Sequence, residues 1–146
     1  MSSLADNSGP ETVLVVEDEV FVRMVISDYL RGCGYKVIEA ADADEALMVL
    51  QHDGIQIHVV FSDVEMPGSM DGFGLAKWIR ANRLGIDIIL AGTVPGAASA
   101  AEKLCEATHL PKPYESQAVV ERIGWLKALR SSRFERSETA VEPGAK

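Results

Sequence analysis

Short runs of apolar, often β-branched residues recur along the chain, and each run stops at polar residues or glycine. The runs predict β-strands at residues 12–16, 35–39, 55–61, 87–91 and 109–111. The third run is apolar on both faces, which is typical of a central parallel strand. His58 within it is either a packed residue or a ligand, and the pattern favours packing. Pro111 in the last run predicts an edge position, because proline cannot donate to a neighbouring strand.

Between these runs the apolar positions recur at helical spacing. They predict helices from Glu19 to the glycines at 32 and 34, over 42–51, from Gly72 to near Gly85, over 97–107 and over 115–130. The segment over 97–107 is alanine-rich and follows Pro95 and Gly96, so we expect raised mobility over 93–104. Five strands alternating with five helices predict a three-layer α/β fold around a doubly wound, five-stranded parallel sheet.

Length and composition indicate one globular domain. The chain has 146 residues, 47% of them hydrophobic, and a net charge of −8, which argues against general nucleic-acid binding. We expect a flexible leader over 1–10, one domain over 11–131 and a disordered tail over 132–146. No apolar segment approaches the roughly 18 residues needed to span a bilayer, and no secretion signal is visible. The expected location is therefore cytoplasmic, without membrane contact.

Acidic side chains follow two of the predicted strands at the point where each strand ends. Glu17 and Asp18 come after the first strand, and Asp63 comes after the third. If these strands are neighbours, three carboxylates meet at one sheet edge, where a divalent cation would relieve their repulsion. Oxygen ligands suit Mg²⁺, and Lys112 after the fifth strand would add one positive charge. Such a set fits phosphoryl transfer to a carboxylate. Taken alone, Asp63 could instead be a turn or capping residue, and Lys112 a solvated turn lysine.

Three blocks of sequence, VLVVEDE, FSDVEMPGSMDG and LPKPY, resemble the signature of a response-regulator receiver domain of the chemotaxis type over residues 11–131. The resemblance implies a flavodoxin-like sheet with strand order 2-1-3-4-5. It makes Asp63 the phosphoacceptor, and Glu17, Asp18, Asp63 and the backbone carbonyl of Glu65 the Mg²⁺ ligands. It also implies that Lys112 pairs with the phosphoryl group and precedes a cis proline.

Two positions depart from the family pattern. The hydroxyl residue that ends the fourth strand aligns with Gly92, with Thr93 one position later, so either Thr93 takes this role or the hydroxyl contact is missing. The switch aromatic aligns with His109, whose imidazole could turn inward toward Thr93 or remain on the surface. The segment between Thr93 and Lys112 is also shorter than usual, and Gly68-Ser69 lengthens the loop after Asp63.

The resemblance implies a stand-alone switch that takes a phosphoryl group from a sensor histidine kinase or phosphotransfer protein, with no DNA-binding output domain. It would then alter the binding of a downstream protein or serve as a phosphate sink, catalysing only its own phosphorylation and dephosphorylation. One alternative is a phosphorylation-independent interaction module, given the irregular Gly92 and His109. Another is an aspartate-based phosphatase of small phosphoesters, although such enzymes carry the nucleophile on their first strand. Basic residues near the end are interpreted as surface, with docking as the alternative; they are Arg122, Lys127, Arg130, Arg133 and Arg136.

Overall fold

The computed structural model describes residues 9–92 and 107–144, with the backbone only for residue 107 and from 133 onward. The strands are β1 (Thr12–Val16), β2 (Lys36–Ala40), β3 (Val59–Asp63), β4 (Asp87–Ala91) and β5 (Ala107–Leu110). The helices are α1 (Val20–Gly32), α2 (Ala43–Leu50), α3 (Gly72–Asn82) and α4 (Ser116–Gly144). Thr93, the predicted helix over 97–107 except its last residue, and the expected mobility over 93–104 lie outside the described residues, as does most of the leader.

The five strands form one parallel sheet in the order β2-β1-β3-β4-β5. Alternate residues of the strands face two separate apolar cores. Helices α2 and α3 cover one face, and helices α1 and α4 cover the other. The predicted doubly wound, three-layer fold and the strand order are confirmed, and β5 lies at the sheet edge. In the described part of the chain, no helix combines the length and the apolar character needed to cross a membrane.

Helix α2 begins with the capping box that the sequence predicts. The Asp42 carboxylate accepts a hydrogen bond from the Glu45 amide at 2.9 Å, and the Glu45 carboxylate accepts one from the Ala41 amide at 2.7 Å. One amide of the first helical turn and the amide of the residue before the N-cap are thereby satisfied. His58 has a structural role, because its Nδ1 accepts a hydrogen bond from the Thr12 amide at 3.0 Å.

Several predicted boundaries are wrong. Strand β2 lies one residue later than predicted, and β5 spans Ala107–Leu110 rather than 109–111, so Pro111 lies just after it. Strand β3 begins at Val59 rather than near Ile55, because its neighbours first pair there, with Val13 on one side and Asp87 on the other. Helix α4 continues through Gly144, although the sequence predicted a helix end at 130 and a disordered tail. The tail has no apolar stripe, but it contains no proline before Pro143 to interrupt a helix. The other predicted domain boundaries stay predictions.

Arg130 is not the free surface residue that the sequence suggested. Its guanidinium forms two hydrogen bonds with the Glu11 carboxylate, at 2.9 and 3.1 Å, and one with Asp87 at 2.6 Å. Both acids are buried and lie at the amino ends of β1 and β4. Arg130 therefore attaches α4 to the amino ends of the strands, opposite the end where Glu17, Asp18 and Asp63 lie. An arginine guanidinium can satisfy a carboxylate through two donors at once.

Candidate functional site

Three carboxylates meet at the carboxyl ends of β1 and β3. These strands are neighbours, and Val16 pairs with Ser62, so the next residue on each strand, Glu17 and Asp63, emerges at the same edge. Ligand oxygens of Glu17, Asp18 and Asp63 all lie within 4.8 Å of one another. Glu17 and Asp63 are buried, whereas Asp18 is exposed. The convergence that the sequence predicts is present, with one open side toward solvent.

Burial makes Glu17 an unusually weak acid. Loss of hydration, together with the negative charge of Asp63, raises the pKa of Glu17 to about 7, although the Glu19 amide donates to its carboxylate at 3.1 Å. A carboxyl group so destabilised in its charged form is poised to gain from a nearby cation. The three residues offer only oxygen ligands, which hard divalent cations such as Mg²⁺ prefer. The residues present therefore fit a magnesium site.

Lys112 brings a positive charge to this cluster from the loop after β5. Its Nζ lies 2.7 Å from Asp63 Oδ1 and 3.9 Å from Glu17 Oε1. Burial alone would lower the pKa of Lys112, but the hydrogen bond and charge of Asp63, with the charge of Glu17, outweigh it and raise that pKa. Lys112 therefore remains an ammonium at neutral pH. The Lys112–Pro113 peptide bond is cis, as the sequence resemblance implied.

The carboxyl group of Asp63 is subject to opposing influences. Burial raises its pKa, the hydrogen bond and charge of Lys112 lower it, and the negative charge of Asp18 raises it again, leaving it above the usual value. Among charged side chains, Lys112 is thus what favours the carboxylate form of Asp63, which is the form that can act as a nucleophile.

Gly72, which the sequence analysis did not single out, supports the main chain of Asp63. Its amide donates to the Val64 carbonyl at 2.8 Å, and a Cβ on Gly72 would lie 2.3 Å from the Asp63 carbonyl oxygen. Only glycine allows α3 to start this close to the strand end. The available signal was the glycine at the start of the predicted helix. Glu65, the expected carbonyl ligand, is exposed in the loop two residues after Asp63.

Gly92 follows β4, and a side chain there would press on Val64. A Cβ there would lie 3.0 Å from Val64 Cβ and 3.1 Å from Val64 Cγ2, and the Val64 amide is fixed by the Ala91 carbonyl at 2.8 Å. The Gly92 amide in turn donates to Leu110 at 3.2 Å. The aligned position therefore supplies no hydroxyl, and a side chain there would require Val64 to shift by a few tenths of an ångström.

His109 is half-buried and bonds to the end of β4. Its Nε2 lies 2.9 Å from the Gly92 carbonyl oxygen, and because a carbonyl only accepts, this nitrogen must carry the proton. The His109 carbonyl accepts a hydrogen bond from Arg122 at 3.0 Å. Arg122, like Arg130, is therefore a basic residue near the end of the chain with a defined contact. His109 thus contacts the end of β4 through the backbone carbonyl of Gly92.

Tyr114, in the same block as Lys112, is a further residue that the sequence analysis did not single out. Its ring stacks edge-on against Phe61 with a centroid distance of 5.3 Å, and its hydroxyl is buried. Burial, with the charges of Glu17 and Asp63, raises the pKa of Tyr114. The tyrosine therefore stays neutral and closes the apolar side of the site.

Comparison with known proteins agrees with this geometry. Residues 13–124 match the family described as response regulator receiver domain. The chain is 40% identical over 111 residues to the sensor kinase CckA of Brucella abortus, covering 75% of this chain and 12% of that protein. It spans 10 to 28% of the length of the first six curated relatives that it matches.

Solved structures resemble the chain over most of its length. The chemotaxis protein CheY4 of Vibrio cholerae has 28% identity and a TM-score of 0.72, covering 81% of this chain and 99% of that one. The response regulator TrrA of Thermotoga maritima, solved in complex with Mg²⁺-BeF, has 25% identity and a TM-score of 0.69, with 80% and 98% covered. The chain therefore belongs to the response-regulator receiver domains, the phosphoacceptor domains of two-component signalling.

Proposed function

We propose that Asp63 is the phosphoacceptor and that Glu17, Asp18 and Asp63, with the backbone carbonyl of Glu65, hold Mg²⁺. The observation that carries this proposal is the buried Asp63 carboxylate, 2.7 Å from the Lys112 ammonium and within 4.8 Å of both other acids. When bound, the ion would neutralise charge on the transferring phosphoryl oxygens.

The chain's own residues account for the remaining chemistry. An Asp63 carboxylate oxygen attacks the phosphorus of a phosphohistidine in line. The new O–P bond forms as the P–N bond breaks, and the imidazole leaves with the electron pair and takes a proton. Lys112 holds the carboxylate before transfer and stabilises the negative phosphoryl oxygens afterwards, because its raised pKa keeps it charged. We infer that the chain catalyses only its own phosphorylation and dephosphorylation.

Small phosphodonors test this proposal directly. Acetyl phosphate with Mg²⁺ should add one phosphoryl group to the wild type, detected by intact mass, and none to Asp63→Asn. Asp18→Asn keeps the nucleophile but loses a proposed ligand, so labelling should become slow and nearly independent of Mg²⁺. Labelling of Asp63→Asn equal to the wild type would assign the phosphate to another residue and refute the proposal.

The phosphodonor is proposed to be a sensor histidine kinase or a phosphotransfer protein that binds along α1. One face of this helix exposes apolar side chains beside the site, namely Val20, Phe21, Met24, Val25 and Tyr29. A groove of about 380 Å³ between α1 and the loop after β5 includes Lys112 in its lining, so it is continuous with the phosphoacceptor site. Exposed apolar surface beside a reactive group is typical of a protein-docking surface.

A substitution on this face separates docking from chemistry. Phe21 is 75% exposed, so Phe21→Asp should leave folding and acetyl phosphate labelling unchanged. Transfer from a phosphorylated kinase should fall about tenfold or more, as expected for an interface anchor. The matched control is Leu84→Asp, which is 81% exposed after α3 and should transfer normally. Equal transfer to all three proteins would place the docking surface elsewhere.

The consequence of phosphorylation is proposed to be altered binding of a downstream protein, or storage of phosphate as a sink. Gly92 favours one second candidate, a phosphorylation-independent interaction module, because the position aligned with the usual hydroxyl residue has no side chain. Partner binding that is identical for wild type and Asp63→Asn would support this second function. The expected cytoplasmic location stays a prediction.

A further inference from the structure

Arg23 is a charged residue on α1 that reaches back to the acid cluster. Its guanidinium nitrogen NH1 donates to the Glu17 carbonyl oxygen at 2.7 Å, and its Nε lies 3.3 Å from the Glu39 carboxylate on β2. The side chain is 18% exposed. It therefore contacts the main chain of a proposed metal ligand without belonging to the ligand set.

The carbonyl that Arg23 binds belongs to the peptide that joins the two acids, Glu17 and Asp18. Other contacts fix the remaining parts of Glu17: its amide donates to the Ala40 carbonyl at 3.0 Å, and its carboxylate accepts from the Glu19 amide at 3.1 Å. Arg23 supplies the contact on the carbonyl side. The orientation of this peptide sets the direction in which the exposed Asp18 leaves the main chain.

We propose that Arg23 is a positioning residue for the magnesium site, an inference that rests on the proposed function. By holding the Glu17 carbonyl, it keeps Glu17 and Asp18 aimed at the same point as Asp63. Glu39 in turn fixes the guanidinium. Groups that orient metal ligands through hydrogen bonds typically contribute tenfold or more to metal affinity.

A purely structural role for Arg23 would be to attach α1 to β2. The same helix offers a matched control for that role, because Arg31 binds the other Glu39 oxygen at 3.1 Å. Arg31 also carries the same charge, but it contacts Asp28, Val37 and Glu39 rather than Glu17. The two arginines therefore share the attachment to β2, and the Glu17 contact distinguishes them.

The test measures Mg²⁺ affinity by isothermal titration calorimetry in Arg23→Met and Arg31→Met, with urea unfolding of each as a stability control. We expect Arg23→Met to raise the Kd for Mg²⁺ about tenfold and Arg31→Met to change it less than about twofold. Removing a positive charge near acids would by itself strengthen cation binding. A higher Kd for Mg²⁺ in Arg23→Met therefore indicates that the metal ligands have lost their positioning.

The conservative variant gives a second reading. Arg23→Lys retains a donor for the Glu17 carbonyl, so its Kd should fall between those of the wild type and Arg23→Met. If Arg23→Met does not fold, Arg23→Lys compared with Arg31→Lys makes the same comparison. Equal Mg²⁺ affinity in the Arg23 and Arg31 variants would overturn this inference and leave the proposed function standing. A wild type that takes up no Mg²⁺ at millimolar concentration would overturn both.

Discussion

Replacement of Gly72 by alanine tests whether the start of α3 sets the position of the phosphoacceptor. The new Cβ would lie 2.3 Å from the Asp63 carbonyl oxygen and 2.9 Å from Val64 Cα, whereas ordinary contact begins at 3.4 Å. Both neighbours are main chain, so the helix or the strand end must move by about 1 Å. Overpacking of this kind costs about 1–3 kcal/mol. An alanine elsewhere in a helix would instead gain up to about 1 kcal/mol over glycine.

Gly124 in α4 provides the control for this experiment, because a Cβ there meets nothing within 4 Å. In urea unfolding followed by circular dichroism, Gly124→Ala should raise the free energy of unfolding by about 0.5–1 kcal/mol. Gly72→Ala should lower it by about 2 kcal/mol, because the contact is with main chain, which cannot rotate away as a side chain can. A displacement of about 1 Å at Asp63 should also slow acetyl phosphate labelling, by up to about a hundredfold.

A Gly72→Ala protein that is as stable as the wild type and is labelled at the same rate would refute this role of Gly72. That result would mean that the loop between Asp63 and α3 can absorb the extra carbon, and that the close approach is incidental. Reduced stability with normal labelling would limit the role of Gly72 to packing.

Three further predictions concern charged groups. Lys112→Met should slow labelling of Asp63 by about a hundredfold or more in a timed intact-mass assay, because the ammonium 2.7 Å from the nucleophile is lost; unchanged labelling would remove Lys112 from the mechanism. The pKa of Glu17 is about 7 when folded and 4.5 in the unfolded reference, so without metal the stability from this residue is complete below pH 4.5 and declines up to pH 7. The unfolding free energy of the wild type, relative to that of Glu17→Gln, should therefore fall by about 3 kcal/mol between pH 4.5 and 7.5 in the presence of a chelator. A difference that does not change with pH would contradict this. Arg130→Met should cost about 2–3 kcal/mol of unfolding free energy, since two buried carboxylates lose their cation, whereas exposed Lys127→Met should change it by less than about 0.5 kcal/mol; equal effects would deny Arg130 a structural role.

Strand positions were predictable where the limits of a β-branched run match the limits of its pairing with the neighbouring strands. Strands β1 and β4 have the predicted bounds, Thr12–Val16 and Asp87–Ala91. The apolar run that contains β3 begins before the point where the neighbouring strands can pair with it. Ile57 is therefore buried in the core without being part of the strand. Pattern alone reports burial, whereas strand limits depend on which partner strand is present.

The site was predictable in its side chains but not in its supporting main chain. The acids converge because parallel strands all end at one edge, which follows from the alternation of strands and helices. The close approach of Gly72 to Asp63 depends on the path of the intervening loop, which no periodicity encodes. The contact of Arg23 with Glu17 likewise joins a helix face to a strand end, and a charged residue on a helix carries no signal of such a partner.

The two ends of the sheet balance their charges differently. At the amino ends, Arg130 lies between two buried carboxylates, so only one negative charge remains in that group. At the carboxyl ends, Lys112 faces three carboxylates, two of them buried, which leaves two negative charges. A residual of two charges is what one divalent cation cancels, and the raised pKa of Glu17 indicates that the protein part alone does not cancel it. The fold thus places a covalently attached cation at one end, and at the other end the proposed Mg²⁺ would supply the remaining positive charge. That end is also the one where Asp63, the proposed phosphoacceptor, would carry a phosphoryl group with its own negative charge, so the proposed ion would offset the charge of both.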